Sequence, residues 1–122
     1  MDKVNLEQKL SLFKEHWSPK IVGEINDMHV KLAKIQGEFI WHSHEHEDEM
    51  FFVISGEMTM RIRDAEGERD IVVGPGEFII IPRTVEHMPV AEHETHIMLV
   101  EPKATVNTGG EESDRTAELE WI

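Results

Sequence analysis

Trp41-His42-Ser43-His44-Glu45-His46-Glu47-Asp48-Glu49-Met50-Phe51-Phe52-Val53-Ile54 is the most informative segment of the sequence. It packs three of the eight histidines into five residues and then runs straight into a compact apolar strand. Residues two apart in an extended chain point to the same face, so His42 and His44 project together. Imidazole is the commonest protein ligand for divalent transition metals, and a carboxylate commonly completes such a site. Glu49 is the acid nearest the re-entry into the apolar strand. A fourth ligand must come from elsewhere in the chain. His87 is the leading candidate, because it follows Ile79-Ile80-Ile81-Pro82 and precedes another strand. Taken alone, the local composition also fits a solvated loop of alternating acid and imidazole.

Working outward, residues 5–17 read as a short helix. Leu6, Leu10, Phe13 and Trp17 form one apolar stripe at helical spacing. Asn5 and Gln8 make a capping-box pattern, and Ser18-Pro19 ends the element. After that the period changes to two. Strands are expected at 21–25, 29–35, 39–41, 50–54, 58–63, 70–73, 78–81, 87–91 and 96–100, separated by Gly, Pro, Asn and Asp signals. The cleanest is 58–63, where Met58, Met60 and Ile62 alternate with Thr59, Arg61 and Arg63. Short strands at such spacing make an all-β antiparallel sandwich or barrel, not alternating βαβ units. The expected organisation is a helix and lead-in over 1–19, a strand body over 20–102 and an acidic tail over 103–122. The tail reads as extended or partly disordered, with Trp121 and Ile122 apolar enough to dock.

Composition narrows the function classes. The 122 residues carry 12 Lys+Arg against 25 Asp+Glu, for a net charge of −13. Residues 1–34 hold six basic and five acidic groups, so the excess lies in the rest. Such a charge repels phosphate backbones and anionic lipid, which argues against nucleic-acid and membrane partners. No apolar stretch approaches the ~20 residues needed to span a bilayer. The absence of cysteine excludes disulfides, thiolate metal sites and cysteine nucleophiles. It suits the cytoplasm, the expected location.

The wider spacing resembles the cupin superfamily. Its first motif is Gly, five residues, His-x-His, three or four residues, Glu, six residues, Gly. Here His42-x-His44, four residues, Glu49, six residues and Gly56 match it, with Gly37 one residue closer than the pattern. The second motif is Gly, five residues, Pro-x-Gly, two residues, His, three residues, Asn. Gly76, Pro82 and His87 match, while Thr84 replaces the motif's Gly and Ala91 its Asn. The resemblance covers residues 28–101. It implies a jelly-roll β-barrel, with a short N-terminal helix added. It further implies that His42, His44, Glu49 and His87 surround a divalent transition metal (Fe, Mn, Ni or Zn). A competing register with His44 and His46 leaves two residues before Glu49, which the motif does not allow. His46 is then a loop residue or a group at the pocket mouth.

If Glu49 points inward, so do Phe51 and Val53, and Met50, Phe52 and Ile54 face the other side. Either the N-terminal stripe or a partner subunit must cover that apolar side. Many small cupins are homodimers, so a homodimer is expected by resemblance. Met58, Met60, Phe78 and Ile80 are candidate pocket-lining residues, with plain core as the blander role. His96 could reach the pocket, and Arg83 could hold an anionic substrate at the mouth. The superfamily spans dioxygenases, isomerases, lyases and non-catalytic binding proteins. A metal-dependent enzyme on a small neutral or weakly anionic organic molecule is the first expectation, and a non-catalytic metal or small-ligand binding protein the alternative. Small cupins are often labelled as similar to mannose-6-phosphate isomerase, but phosphate recognition wants clustered cations. Residues 35–100 offer only Arg61, Arg63, Arg69 and Arg83.

Overall fold

A computed structural model describes residues 1–110, 113 and 116–122. Among the described residues, one helix and eight strands follow in order: α1 (Leu6–Leu10), β1 (Lys20–Ile25), β2 (Met28–Glu38), β3 (Glu49–Ser55), β4 (Met58–Asp64), β5 (Gly67–Val73), β6 (Phe78–Ile81), β7 (Glu86–Pro102) and β8 (Glu120–Trp121). The architecture is the expected jelly-roll β-barrel. Its organising element is β7. β2 pairs along nearly all of it, from Met28↔Pro102 to Glu38↔Val90. Its other edge pairs first with β4 and then with β3. The two expected strands at 87–91 and 96–100 are therefore one 17-residue strand that pairs with β2, β3 and β4. Asp64 and Gly67 pair across the two-residue turn between β4 and β5. Gly67 sits at φ +105, which a residue with a side chain rarely adopts. Residues 39–41 make no strand of their own.

The pleat falls as the alternation requires. Phe51 and Val53 are buried in the main core with Met58, Met60, Ile62, Ile97 and Leu99. The smaller core forms on the outer side, where Leu10 and Phe13 pack on Val22 and Leu32, with Ile54 and Met98 against them. The N-terminal segment thus covers part of the outer face intramolecularly. Phe78 and Ile80 do not line the interior: they are 59% and 55% exposed. The register Phe51↔Ile79 and Glu49↔Ile81 turns Ile79 and Ile81 inward and leaves the alternate pair outside, beside Phe52 and Met50.

α1 is shorter than its stripe. Asn5 caps it by accepting from the Gln8 amide at 2.9 Å, as expected. Past Ser11, however, the backbone finds partners on β2 instead of on itself. The Phe13 carbonyl accepts from Lys34 Nζ, and the Trp17 amide donates to the Lys34 carbonyl. Phe13 and Trp17 keep their buried positions without helical backbone. The expected docking of Trp121 and Ile122 occurs: β8 pairs in parallel with β1, and the Ile122 amide donates to the Ile21 carbonyl. The acidic stretch includes positions 111, 112, 114 and 115, which lie outside the described residues. No helix among the described residues is long and apolar enough to cross a membrane.

Candidate metal centre

The loop between β2 and β3 carries His42 and His44, the loop between β6 and β7 leads into His87 at the start of β7, and the backbones are joined. The His42 amide donates to the His87 carbonyl at 3.1 Å, and the His87 amide donates to the His42 carbonyl at 2.9 Å. Thr84, on the second loop, donates its amide to the His44 carbonyl at 2.7 Å. Thr84 does this at φ +73, the left-handed conformation that glycine would adopt without strain. The departure from the glycine pattern at 84 thus alters the residue and keeps the backbone shape. Glu49 opens β3 directly opposite Ile81.

All four side chains turn into the barrel. His42, His44 and Glu49 are each 4% exposed, and His87 is fully buried. One ligand atom from each lies within 4.8 Å of every other. Glu49 Oε1 is 3.4 Å from both His44 Nε2 and His87 Nε2. Donors bound at about 2.1 Å around one ion stand roughly 3.0–3.4 Å apart, so the spacing suits a common centre. The Nδ1 atoms of His42 and His87 lie 2.9 Å from the Ile40 and Val85 carbonyls, which places the proton on Nδ1 and directs Nε2 at the cluster. His44 Nε2, His87 Nε2 and Glu49 Oε1 are buried with no hydrogen-bond partner. Such orphans are costly, and a cation at their convergence would satisfy all three.

The electrostatics agree with that donor set. Burial, reinforced by repulsion from His87, pushes the His42 imidazole down to about 4, against the opposing pull of Ile40 and Glu49. It is neutral near pH 7, as a ligand must be. Burial works to raise Glu49, yet the adjoining Glu101, His44 and His87 hold its carboxylate well below the usual range. Burial and the adjoining Glu49 push Glu101 well above it. A consequence for stability follows from His42, whose folded value lies below its unfolded value near 6.5. Its contribution is present above pH 6.5 and is lost as the pH falls towards 4, amounting to on the order of 3 kcal/mol. Urea unfolding of metal-free protein at pH 7 and pH 4 is expected to show that loss, and His42→Asn is expected to flatten it. Identical pH profiles for the two proteins would contradict the assignment.

The other candidates lie elsewhere. His46 is on the surface, with its side chain 80% exposed. His93 is exposed as well. His96 does not reach the interior. It shares the outward phase of β7 with Met98 and pairs with Glu94, which also binds His16. Arg83 is a surface residue tied to Asp48. Met58 and Met60 are fully buried core. Two polar residues escaped notice in the sequence: Lys31 and Glu101, joined at 2.8 Å inside the barrel. The signal was available, since Lys31 shares the inward phase of Ala33 and Ile35, and Glu101 that of Ile97 and Leu99.

Beside the cluster opens a narrow cleft of about 420 Å³, counting the solvent at its mouth. Trp17, Phe39, Phe51, Ile97 and Leu99 give it apolar walls, and His42, Glu49 and Glu101 give it polar ones. The C-terminal segment closes against the same end. Asn107 borders the cleft, Thr108 is fully buried, and Gly109 sits so close to Ser43 that a Cβ there would run into the Ser43 carbonyl. A site with three buried imidazoles, one carboxylate and an apolar approach can hold a divalent transition metal and admit a small organic molecule next to it.

Comparisons with known proteins agree with this architecture. A solved cupin-2 domain containing protein from Shewanella frigidimarina NCIMB 400 is similar, with TM-score 0.77 and 43% identity over 82% of this chain and 94% of that one. Hydroquinone 1,2-dioxygenase from Sphingomonas sp. TTNP3, solved with 4-hydroxybenzoate bound, shares the fold with TM-score 0.74. It is 18% identical, over 84% of this chain and 32% of that one. The 3-hydroxyanthranilate 3,4-dioxygenase 2 of Aspergillus fumigatus is 30% identical over 78 residues, which make up 64% of this chain. The match spans 42% of that relative's own length. The cupin domain model matches residues 28–102, which is more than half of the sequence and takes in both histidine loops, and the chain therefore belongs to the cupin family.

Proposed function

We propose that this chain is a metal-dependent enzyme that oxidises a small aromatic molecule with dioxygen, and that His42, His44, Glu49 and His87 hold its divalent metal. The observation that carries this reading is the convergence of partnerless buried donors beside an apolar cleft. A metal held there would supply Lewis-acid and redox chemistry. The chain's own residues would do the rest. The Ile40 and Val85 carbonyls orient the His42 and His87 imidazoles. The aromatic walls would bind a ring and keep water away from it. The dioxygenase names among the relatives favour oxygen chemistry over isomerisation or lyase chemistry.

The test is oxygen uptake by tag-free protein loaded anaerobically with iron(II), against catechol, hydroquinone and 3-hydroxyanthranilate. Uptake that depends on both iron and one member of the panel supports the reading. Stoichiometric metal with no uptake for any of them would instead assign a non-catalytic metal or small-ligand binding protein. The near-complete burial of the quartet favours that second reading.

A further inference from the structure

Lys31 and Glu101 form an ion pair at 2.8 Å whose side chains are 2% and 1% exposed. Hiding two charges is costly, and well-packed apolar residues would commonly serve stability as well or better. The two partners differ in what they face. Glu101 borders the cleft next to Glu49, whereas Lys31 lies behind it, against the space under Thr105, Asn107 and Leu119. Lys31 engages Oε1 alone, and Glu101 Oε2 is buried without a hydrogen-bond partner. An unpartnered carboxyl oxygen on the wall of a largely apolar cleft is a specificity device: it penalises any ligand that leaves it unmatched. No lysine or arginine borders the cleft among the described residues, and two carboxyl groups do.

Resting on the reading above, we infer that Glu101, held in place by Lys31, recognises a phenolic hydroxyl on an uncharged aromatic ring, and that the cleft rejects aryl carboxylates. A hydroxyl both donates and accepts, so it complements the carboxyl in either protonation state. A ring carboxylate would meet the Glu49 and Glu101 carboxyls, with no lysine or arginine on the cleft wall to pair with it among the described residues.

The test uses three matched probes: catechol, 2,3-dihydroxybenzoate (the same diol plus a carboxylate) and 1,2-dimethoxybenzene (no hydroxyl). Titration calorimetry is run on zinc-loaded protein, which is redox-silent, and on metal-free protein. Catechol is expected to bind at least tenfold tighter than either other probe, in both forms. In the Lys31→Met/Glu101→Leu double variant, which removes both charges together, that preference is expected to fall to threefold or less. Thermal melting confirms that the variant folds. The inference is overturned if 2,3-dihydroxybenzoate binds as tightly as catechol, if no probe binds wild-type protein, or if the folded double variant keeps the preference. Failure of the metal assignment has its own signature, less than a tenth of an equivalent of zinc. The probe ordering on metal-free protein still decides the role of Glu101.

Discussion

His44→Ala is expected to cut bound divalent metal from about one equivalent per chain to below about a tenth, because three donors remain of four and the gap opens into the barrel. His44 Nε2 lies 3.4 Å from Glu49 Oε1 and has no other partner, so its loss also frees the carboxylate from one of its fixed neighbours. His46→Ala is the internal control. Its ring is exposed, and its loss is expected to leave the metal content unchanged. Tag-free protein, passed through metal-free buffer and read by plasma mass spectrometry, gives the measurement. His44→Ala protein that holds as much metal as wild type would end the assignment of the quartet. Equal losses in both variants would point to adventitious binding by the histidine-rich loop.

The second large effect is on folding. Glu101→Leu strands the Lys31 ammonium inside the barrel, where no other carboxylate pairs with it among the described residues, and is expected to cost about 3–5 kcal/mol. Lys31→Met is expected to cost less. Burial and Glu49 already favour the protonated form of Glu101, so the carboxyl can shed its charge when its partner goes. The double variant Lys31→Met/Glu101→Leu removes both charges and is expected to recover most of the loss. Urea unfolding of the three variants yields a coupling energy for the pair. Additive losses, with no recovery in the double variant, would show that the two side chains act independently.

How much of this was legible in the sequence differs by residue. His42 and His44 could be placed on one face from strand alternation, and the resemblance to the cupin motifs joined Glu49 and His87 to them. Their backbone union through the reciprocal His42 and His87 hydrogen bonds could not, since it continues the long-range pairing of β2 with the early part of β7. Alternation placed Phe51 and Val53 inside correctly. It failed for Phe78 and Ile80, because four consecutive apolar residues, Phe78-Ile79-Ile80-Ile81, carry no internal phase, and only the register with β3 supplies one. Helical spacing was equally ambiguous after Ser11. Phe13 and Trp17 are buried as their stripe demands, but β2 offered their backbone better partners than another turn of helix. Lys31 and Glu101 were not legible as a pair, because phase within one strand does not say which inward charges on two strands meet; the register of β2 with β7 does.

The bridge between His42 and His87 also bears on when a metal could be captured. These residues stand 45 positions apart, so their meeting is a long-range closure. His42 and His44, by contrast, are neighbours in every conformation of the chain. An ion therefore encounters a partial chelator before the barrel closes and a full one afterwards. What it adds to folding is the difference between those two affinities, because binding to the open chain subtracts from the gain. Tight native binding and strong metal-driven folding are thus separate quantities here, set apart by the local His-x-His pair.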